Sequence, residues 1–331
     1  MLNDSSTADN TAYLSTDLTE EYVPCNLCGA EDFTLKFVGA DRQYGLPGKF
    51  SVVECNMCGL MYVNPRPNKQ YLTQYYPKTY WDPQTLWGFS VSNRSLLRGV
   101  SKLHAILLQA ISYRISIPER TNGKLLDIGC GDGSYLASMK QTGWGAYGVE
   151  PSSIACELAR RNVGSTIFNG TVEQASFPNT FFDVITMLQV LEHTQDPTET
   201  LSEVHRILKA DSLLAISIPD AKSWESKMFG SAWFPWELPR HLYHFSRATI
   251  AAMLEKNGFS VIDVKYDTHP FGVISSIQYV LGGSKLPPKI TFALAYPLAF
   301  LIAGILAIFR SSGSMVVYAR KKSTKKALAL L

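Results

Sequence analysis

Charge is what this sequence is short of. Asp, Glu, Lys and Arg make up 18% of its 331 residues, below the usual quarter. The balance, 31 basic against 28 acidic residues for a formal net charge of +3, is too slight for a nucleic-acid-binding surface. Cysteine is scarce too. Of the six cysteines, four sit in two C-x2-C pairs, and Cys130 and Cys156 fall in helix–strand pattern. That excludes a secreted disulfide framework. The first twenty residues are rich in Ser, Thr, Asn and Asp and lack the apolar core of a secretory signal; 1–20 reads as a disordered tail. No internal repeat is visible, which sets repeat architectures aside. What remains, 46% hydrophobic, is long enough for an α/β domain of about 200 residues plus attachments.

The cysteine pairs come first. Pro24-Cys-Asn-Leu-Cys-Gly29 and Val53-Glu-Cys-Asn-Met-Cys-Gly-Leu60 give C-x2-C, 26 residues, C-x2-C. A glycine after each pair frees backbone N–H groups to turn toward thiolate sulfur. Cys25, Cys28, Cys55 and Cys58 are the soft donor set that a tetrahedral structural zinc prefers, with no position left open for catalysis. Strand-like runs lie between the pairs, so 21–67 reads as a zinc-ribbon-like unit closed by Asn64-Pro-Arg-Pro67. The alternative is that these are free core thiols. An aromatic stretch follows (Tyr71, Tyr75, Tyr76, Tyr80, Trp81, Trp87, Phe89), either a substrate lid or a wrap packed on the core. Apolar spacing over 95–114 then predicts a helix that covers the sheet.

From Lys124 onward, strands and helices alternate, the pattern of a parallel sheet with right-handed crossovers. Expected strands are 124–128, 146–150, about 165–168, 182–188, 213–218 and 259–264, with a last one at 314–319. Expected helices are 133–141, 152–162, 198–209 and 247–257. Between the first strand and its helix lies Asp127-Ile-Gly-Cys-Gly-Asp-Gly133, spaced G-x-G-x-G. The dinucleotide fingerprint wants G-x-G-x-x-G, and Asp127 would repel a pyrophosphate. A carboxylate there suits a cationic or donor-rich ligand. Glu150 ends the second strand, where it can accept both hydroxyls of a ribose. Gly170-Thr-Val-Glu173 follows the third and could wall an adenine. In an open α/β sheet these positions converge beyond the carboxyl ends of the strands.

On the glycine turn, Glu150, Phe182-Asp-Val-Ile-Thr-Met-Leu-Gln-Val-Leu-Glu-His193 and Gly258-Phe259, the chain resembles the class I S-adenosylmethionine-dependent methyltransferases over about 120–265. The layout also resembles a bacterial subgroup of that family, with an N-terminal cysteine-knuckle segment and Pro239-Arg-His-Leu-Tyr-His-Phe-Ser246 after strand five. The resemblance implies an α/β, Rossmann-like sheet of seven strands whose last strand is antiparallel and lies between strands five and six. It implies S-adenosyl-L-methionine held by Asp127, Gly129, Cys130, Gly131 and Gly133 at the methionine part, by Glu150 and Pro151 at the ribose, by Thr171 and Val172 at the adenine, and by Gln189. Thr171 departs from the family, which often carries Asp there to accept the adenine amino group.

Methyl transfer asks mainly for positioning and desolvation, but a hydroxyl acceptor also wants a base near neutral pKa. His193, His241 and His244 are the candidates, each with a structural alternative. Arg240 could hold an anionic acceptor or sit in an ion pair. Glu192 with His193 alone makes a poor metal signature. Thr291–Phe309 is 19 residues without a charge, long enough to span a membrane. The last strand must nevertheless return to the sheet, and the tail carrying Lys321, Lys322, Lys325 and Lys326 prefers the cytoplasmic side. The segment is therefore expected to rest on a membrane, re-enter it, or be buried against protein.

The expected organisation is a tail at 1–20, the zinc-ribbon-like unit at 21–67, aromatic linker and covering helix at 68–118, the cofactor-binding core at 119–270, a hydrophobic insert at 271–312, the last strand at 313–322 and a basic tail at 323–331. The expected function is methyl transfer, at oxygen, to a small-molecule, glycan or lipid-linked acceptor. The expected place is the cytoplasm, with membrane contact through 271–312. The alternatives are a non-catalytic cofactor-binding or zinc-ribbon interaction protein and, disfavoured by Asp127 and the glycine spacing, a nicotinamide-dependent oxidoreductase.

Overall fold

The computed structural model describes residues 19–77, 80, 117, 122–266, 270–281, 298–306 and 308–322. Most of the expected N-terminal tail, the aromatic positions Trp81, Trp87 and Phe89, the helix expected over 95–114, the first part of the uncharged run and the end of the basic tail lie outside the described residues.

The N-terminal part holds strands β1 (Glu20–Glu21), β2 (Phe33–Gly39), β3 (Phe50–Cys55), β4 (Met61–Val63) and β5 (Arg66–Pro67), then a short helix α1 (Lys69–Leu72) capped by the Asn68 side chain. The alternation that follows is β6 (Lys124–Ile128), α2 (Ser134–Gln141), β7 (Gly145–Glu150), α3 (Ser153–Val163), β8 (Ile167–Asn169), β9 (Phe182–Leu188), α4 (Pro197–Ile207) and β10 (Leu208–Pro219). The rest is α5 (Trp224–Phe229), β11 (Tyr243–His244), α6 (Arg247–Lys256), β12 (Phe259–Tyr266), α7 (Phe271–Val280) and β13 (Ser314–Lys321). The central strands are nearly continuous apolar runs because helices cover both faces of a parallel sheet. Leu125, Leu126, Ile185, Met187, Leu214 and Ile216 are all fully buried. Ser152 and Asp196 accept backbone N–H bonds at the starts of α3 and α4, and Pro197 takes the first helical position, where its missing N–H costs nothing.

The seven-stranded sheet runs β12-β13-β10-β9-β6-β7-β8. β9, β6, β7, β8 and β10 pair in parallel; β13 pairs antiparallel with both β10 and β12. The last strand is therefore inserted between strands five and six, as the resemblance implied. One boundary differs. The helix expected to run to 209 stops at Ile207, and the fifth strand starts at Leu208 rather than Leu213. Leu208 is fully buried and pairs with Phe182; pairing resumes at Leu213 after an irregularity where Asp211 takes φ 58°. Burial of that leucine outweighs the local helical pattern.

The cysteine unit is not a separate bead. Its sheet runs β11-β4-β3-β2, so a strand from the loop after β10 completes it. Leu60, Tyr62 and Val63 share one buried cluster with Leu191, Leu242, Tyr243, Phe245 and Ile128. Fully burying each such aliphatic side chain contributes about 1.5–3 kcal/mol, so this seam ties the two parts together. Polar ties reinforce it. Arg66 donates to the Gln195 carbonyl at 2.8 Å, Thr198 Oγ1 to Asn26 Oδ1 at 2.7 Å, and Lys256 Nζ to the Leu27 carbonyl at 3.0 Å.

Candidate active site

The first cluster lies at the carboxyl ends of β6 and β7. Ile128 closes β6 and the chain turns through three glycines, all at positive φ. At Gly133 (φ 76°) a Cβ would meet the Ala159 Cα at 2.9 Å, so only glycine lets α2 pack on α3. At Gly131 (φ 55°) a Cβ would meet nothing within 4 Å. That is a bare backbone cradle facing open space.

Two buried acids flank the cradle. Asp127 is 2% exposed and accepts from Thr186 Oγ1 at 2.6 Å. Glu150 is 1% exposed and accepts from the Gly131 N–H at 2.9 Å and the Ser152 N–H at 2.8 Å. Burial pushes each carboxyl up to about 7, and the Glu150 charge adds to the shift at Asp127. Two acids held out of water with no cation beside them among the described residues favour a positively charged or donor-rich ligand.

The other expected contacts distribute unevenly. Asn169 Nδ2 donates to the carbonyls of Glu150 at 2.9 Å and Pro151 at 3.2 Å, and the Gly170 N–H donates to Glu150 at 3.1 Å. The turn carrying Thr171 is thereby tied to the end of β7. The Thr171 N–H itself donates to Gln174 Oε1 at 2.9 Å. Val172 is 2% exposed and belongs to the buried core. Cys130 is buried, and its thiol is pushed up chiefly by burial. Gln189 takes φ 56° at the end of β9, and its side chain donates to Ser217 Oγ at 2.7 Å. Thr186 and Asn169 were missed in sequence: a threonine mid-strand and an asparagine at a strand end carry no spacing signal.

A second cluster lies beyond β9, where Leu191–His193 forms one turn of 3₁₀ helix, against the loop that leads into β11. The His193 and His241 rings meet edge to face at 4.4 Å. His193 Nδ1 lies 3.1 Å from the Arg240 carbonyl and 3.1 Å from the Tyr76 hydroxyl; His241 Nδ1 lies 2.8 Å from the Pro235 carbonyl. A carbonyl only accepts, so each neutral ring carries its proton on Nδ1 toward backbone; the His193 Nε2 then keeps a lone pair, while the His241 Nε2 lies 3.5 Å from the Glu237 carboxylate. Burial lowers both imidazoles, His193 well below the ordinary range. Glu192 is 1% exposed, and neither carboxylate oxygen has a hydrogen-bond partner among the described residues. Burial pushes it up to about 8, despite partial relief from the nearby Val190 and Glu192 N–H groups. Donor atoms of Glu192, His193 and His241 lie within 4.8 Å of one another. The group can hold a proton or a divalent cation. In sequence only the adjacent pair was visible.

The neighbouring loop residues are placed differently. His244 sits in β11 opposite Met61, buried with its ring 4.8 Å from that of Trp236. Arg240 is fully buried. Its guanidinium donates to Asp41 at 2.8 Å, Glu237 at 3.0 Å and the Tyr75 carbonyl at 3.0 Å, and lies 4.9 Å from the Tyr44 ring. That is the ion-pair alternative, which leaves no room for an anionic acceptor.

In the cysteine unit the two C-x2-C loops share one geometry. The Gly29 N–H donates to the Cys25 carbonyl at 2.7 Å and the Gly59 N–H to the Cys55 carbonyl at 2.9 Å. All four sulfurs lie within 4.8 Å of one another, with Cys25–Cys58 at 3.4 Å and Cys28–Cys55 at 3.5 Å. Sulfurs bound tetrahedrally at about 2.3 Å would stand roughly 3.8 Å apart, so this donor set fits one zinc-sized ion. Burial raises the Cys25 thiol to about 11 and raises Cys58 further, a cost that a bound cation removes.

Comparison with known proteins bears on the first cluster. Residues 101–264 match the description of a methyltransferase domain family. A ubiquinone biosynthesis O-methyltransferase of Glaesserella parasuis is 28% identical over 186 residues, covering 51% of this chain and 72% of that protein. A mitochondrial ubiquinone biosynthesis O-methyltransferase of Schizosaccharomyces pombe is 34% identical over 102 residues, covering 28% of this chain and 37% of that protein. The solved structure of a SAM dependent methyltransferase from Archaeoglobus fulgidus overlays on 66% of this chain and 92% of its own, with 18% identity and a TM-score of 0.44.

Proposed function

From the premise that this chain is a class I S-adenosylmethionine-dependent methyltransferase, we propose that it methylates a hydroxyl oxygen on a small or lipid-linked acceptor. The observation that carries the cofactor reading is the pair of buried acids, Asp127 and Glu150, on either side of the open Gly131 backbone. Two comparisons support oxygen as the target, since both relatives named above are O-methyltransferases.

When bound, S-adenosylmethionine supplies an electrophilic methyl group on a sulfonium sulfur. Glu150 would accept the ribose hydroxyls through oxygens already oriented by the Gly131 and Ser152 N–H groups. Gly129, Cys130 and Gly131, with Asp127 behind them, would meet the methionine part. Thr171 and Gln189 would border the adenine and the transferred methyl. Val172 would support the adenine wall from within the core.

The acceptor hydroxyl needs to lose a proton as its oxygen gains the methyl. His193, with a neutral Nε2 lone pair, is the first candidate for it and His241 the second, with burial keeping both imidazoles unprotonated at neutral pH. Glu192, mostly protonated at neutral pH, stands beside them. His244 backs this wall through β11.

The four cysteines hold a structural zinc, on this reading. The ion would fix β3 and β4, hence β11 and the loop that carries His241. An acceptor with a lipid tail would be met at a membrane surface.

The test is methyl release from labelled S-adenosylmethionine over a panel of hydroxylated acceptors, with and without lipid tails. Turnover with the label on oxygen supports the proposal. Cofactor binding without turnover on any acceptor would move the chain to the non-catalytic alternative.

A further inference from the structure

No described helix is long and apolar enough to cross a membrane, yet the apolar run before the last strand is not simply buried either. Residues 298–306 are helical. One side is closed: Ala299 and Ala303 are fully buried, and Ala299 packs with Val273 and Ile274 of α7. The other side faces water with large apolar groups. Leu298 is 59% exposed, Leu301 58%, Ile305 45%, Ile308 80% and Phe309 74%. Positions 298, 301, 305 and 308 share one helical face.

The face does not end with that segment. Helix α5 presents Trp224 at 61% and Met228 at 54% exposure, one turn apart. The Trp224 N–H donates to the Ser311 carbonyl at 3.1 Å, which brings α5 against the end of the 298–309 stretch. Seven large apolar side chains are thus exposed on two elements that touch at the Trp224–Ser311 contact, the kind of clustered apolar exposure that marks an interaction site.

Its charges have one sign. Lys227 lies 5.6 Å over the Trp224 ring, and Arg310 is exposed beside Phe309. Among the described residues of α5 and 298–312 the only carboxylate is Glu225. It is 3% exposed and turned inward, where it accepts from Ser312 Oγ at 3.4 Å.

We propose that this face docks on an anionic lipid bilayer. Leu298, Leu301, Ile305, Ile308 and Phe309, with Trp224 and Met228, enter the boundary between headgroups and acyl chains, and Lys227 and Arg310 lie among the lipid phosphates. Among the described residues no helix here is long enough to span: 298–306 measures about 14 Å, against about 30 Å of hydrocarbon. The chain also re-enters the sheet at Ser314, so both ends of the docked segment stay on one side. A protein partner would have to match a cationic rim with its own acids; a bilayer of anionic lipid presents that charge everywhere. The proposal deepens the lipid-linked reading of the acceptor and rests on it only for its purpose, because docking is measured without turnover.

The experiment is co-sedimentation of the full chain with vesicles of phosphatidylcholine and phosphatidylglycerol in equal parts, and with vesicles of phosphatidylcholine alone. The expected result is binding to the mixed vesicles, reduced about tenfold or more by the paired change Ile308→Glu and Phe309→Glu. Lys227→Glu with Arg310→Glu is expected to lower the mixed-vesicle binding toward the level on phosphatidylcholine alone. S-adenosylmethionine affinity, read by calorimetry, stays at the wild-type value in both variants, which shows that they fold. No wild-type binding overturns the proposal, as does equal binding by the Ile308/Phe309 variant. A concentration-dependent dimer that this variant abolishes, without any vesicle binding, would assign the face to a second copy instead. Methyl transfer to a soluble acceptor separates these outcomes from failure of the enzyme reading, since it does not require docking.

Discussion

Replacing Glu150 with Gln keeps the side chain's shape and removes its charge. In the wild type the two oxygens accept from the Gly131 and Ser152 N–H groups, and burial holds the carboxyl at about 7. The folded-state value lies above the ordinary 4.5, so the folded protein retains a proton that the unfolded chain gives up. Stability contributed through this group is therefore highest at acid pH and falls as pH rises from about 4.5 through 7. A shift of that size corresponds to about 3 kcal/mol between its limits. Glutamine mimics the protonated form and does not titrate. Urea unfolding of both proteins at pH 5 and pH 8 should then show wild type losing about 2.5 kcal/mol relative to Glu150→Gln across the interval. Cofactor affinity moves the other way. Losing hydrogen bonds from a ligand to a charged acceptor costs about 1.5–3 kcal/mol, a fall in affinity of roughly 10- to 150-fold by titration calorimetry at pH 8. A parallel pH dependence of stability in the two proteins, together with equal cofactor affinity, would refute the reasoning that places a buried binding acid at the end of β7.

Further outcomes follow from the same geometry. Wild-type cofactor affinity should rise between pH 6 and 8, because Asp127 and Glu150, both held at about 7, ionise across that range and then attract the sulfonium; calorimetry in buffers of different ionisation heat should detect protons released on binding. Metal analysis of the purified chain should find zinc at one ion per cysteine unit, and Cys55→Ser should lower the melting temperature and acceptor turnover. His193→Ala should lower kcat by about 100-fold or more while leaving the cofactor dissociation constant unchanged. Arg240→Ala should destabilise the fold by about 3–5 kcal/mol, read by urea unfolding, since it strands the carboxylates of Asp41 and Glu237, and Lys at 240 should not restore a planar guanidinium's paired contacts.

The sheet was legible because its information is local. Apolar runs of five to seven residues, broken by Gly-Cys-Gly-Asp-Gly and by capping Ser and Asp residues, place strands and helices without knowledge of the whole. Glu150 and the glycine turn were legible for the same reason: each lies at the junction where a strand ends. The position of β13 between β10 and β12 came from resemblance alone, since nothing in Ser314–Lys321 states which strands it pairs with. The second cluster was legible only in part. Glu192 and His193 are neighbours in the chain, but His241 reaches them from a loop that β4 holds through β11. Arg240 read equally well as an acceptor-binding cation; Asp41, which neutralises it, comes from the distant cysteine unit. The exposed face at 298–309 was expected as a greasy run, whereas its junction with Trp224 and Met228 depends on the Trp224–Ser311 contact.

Transfer from S-adenosylmethionine carrying a carbon-13 methyl, followed by magnetic resonance of the product, tests the central claim most directly. The expected spectrum shows the labelled carbon bonded to oxygen of a hydroxylated acceptor, and loses that signal in Glu150→Gln and Asp127→Asn. Label on carbon or nitrogen, or label that never leaves the cofactor with any acceptor in the panel, would contradict it.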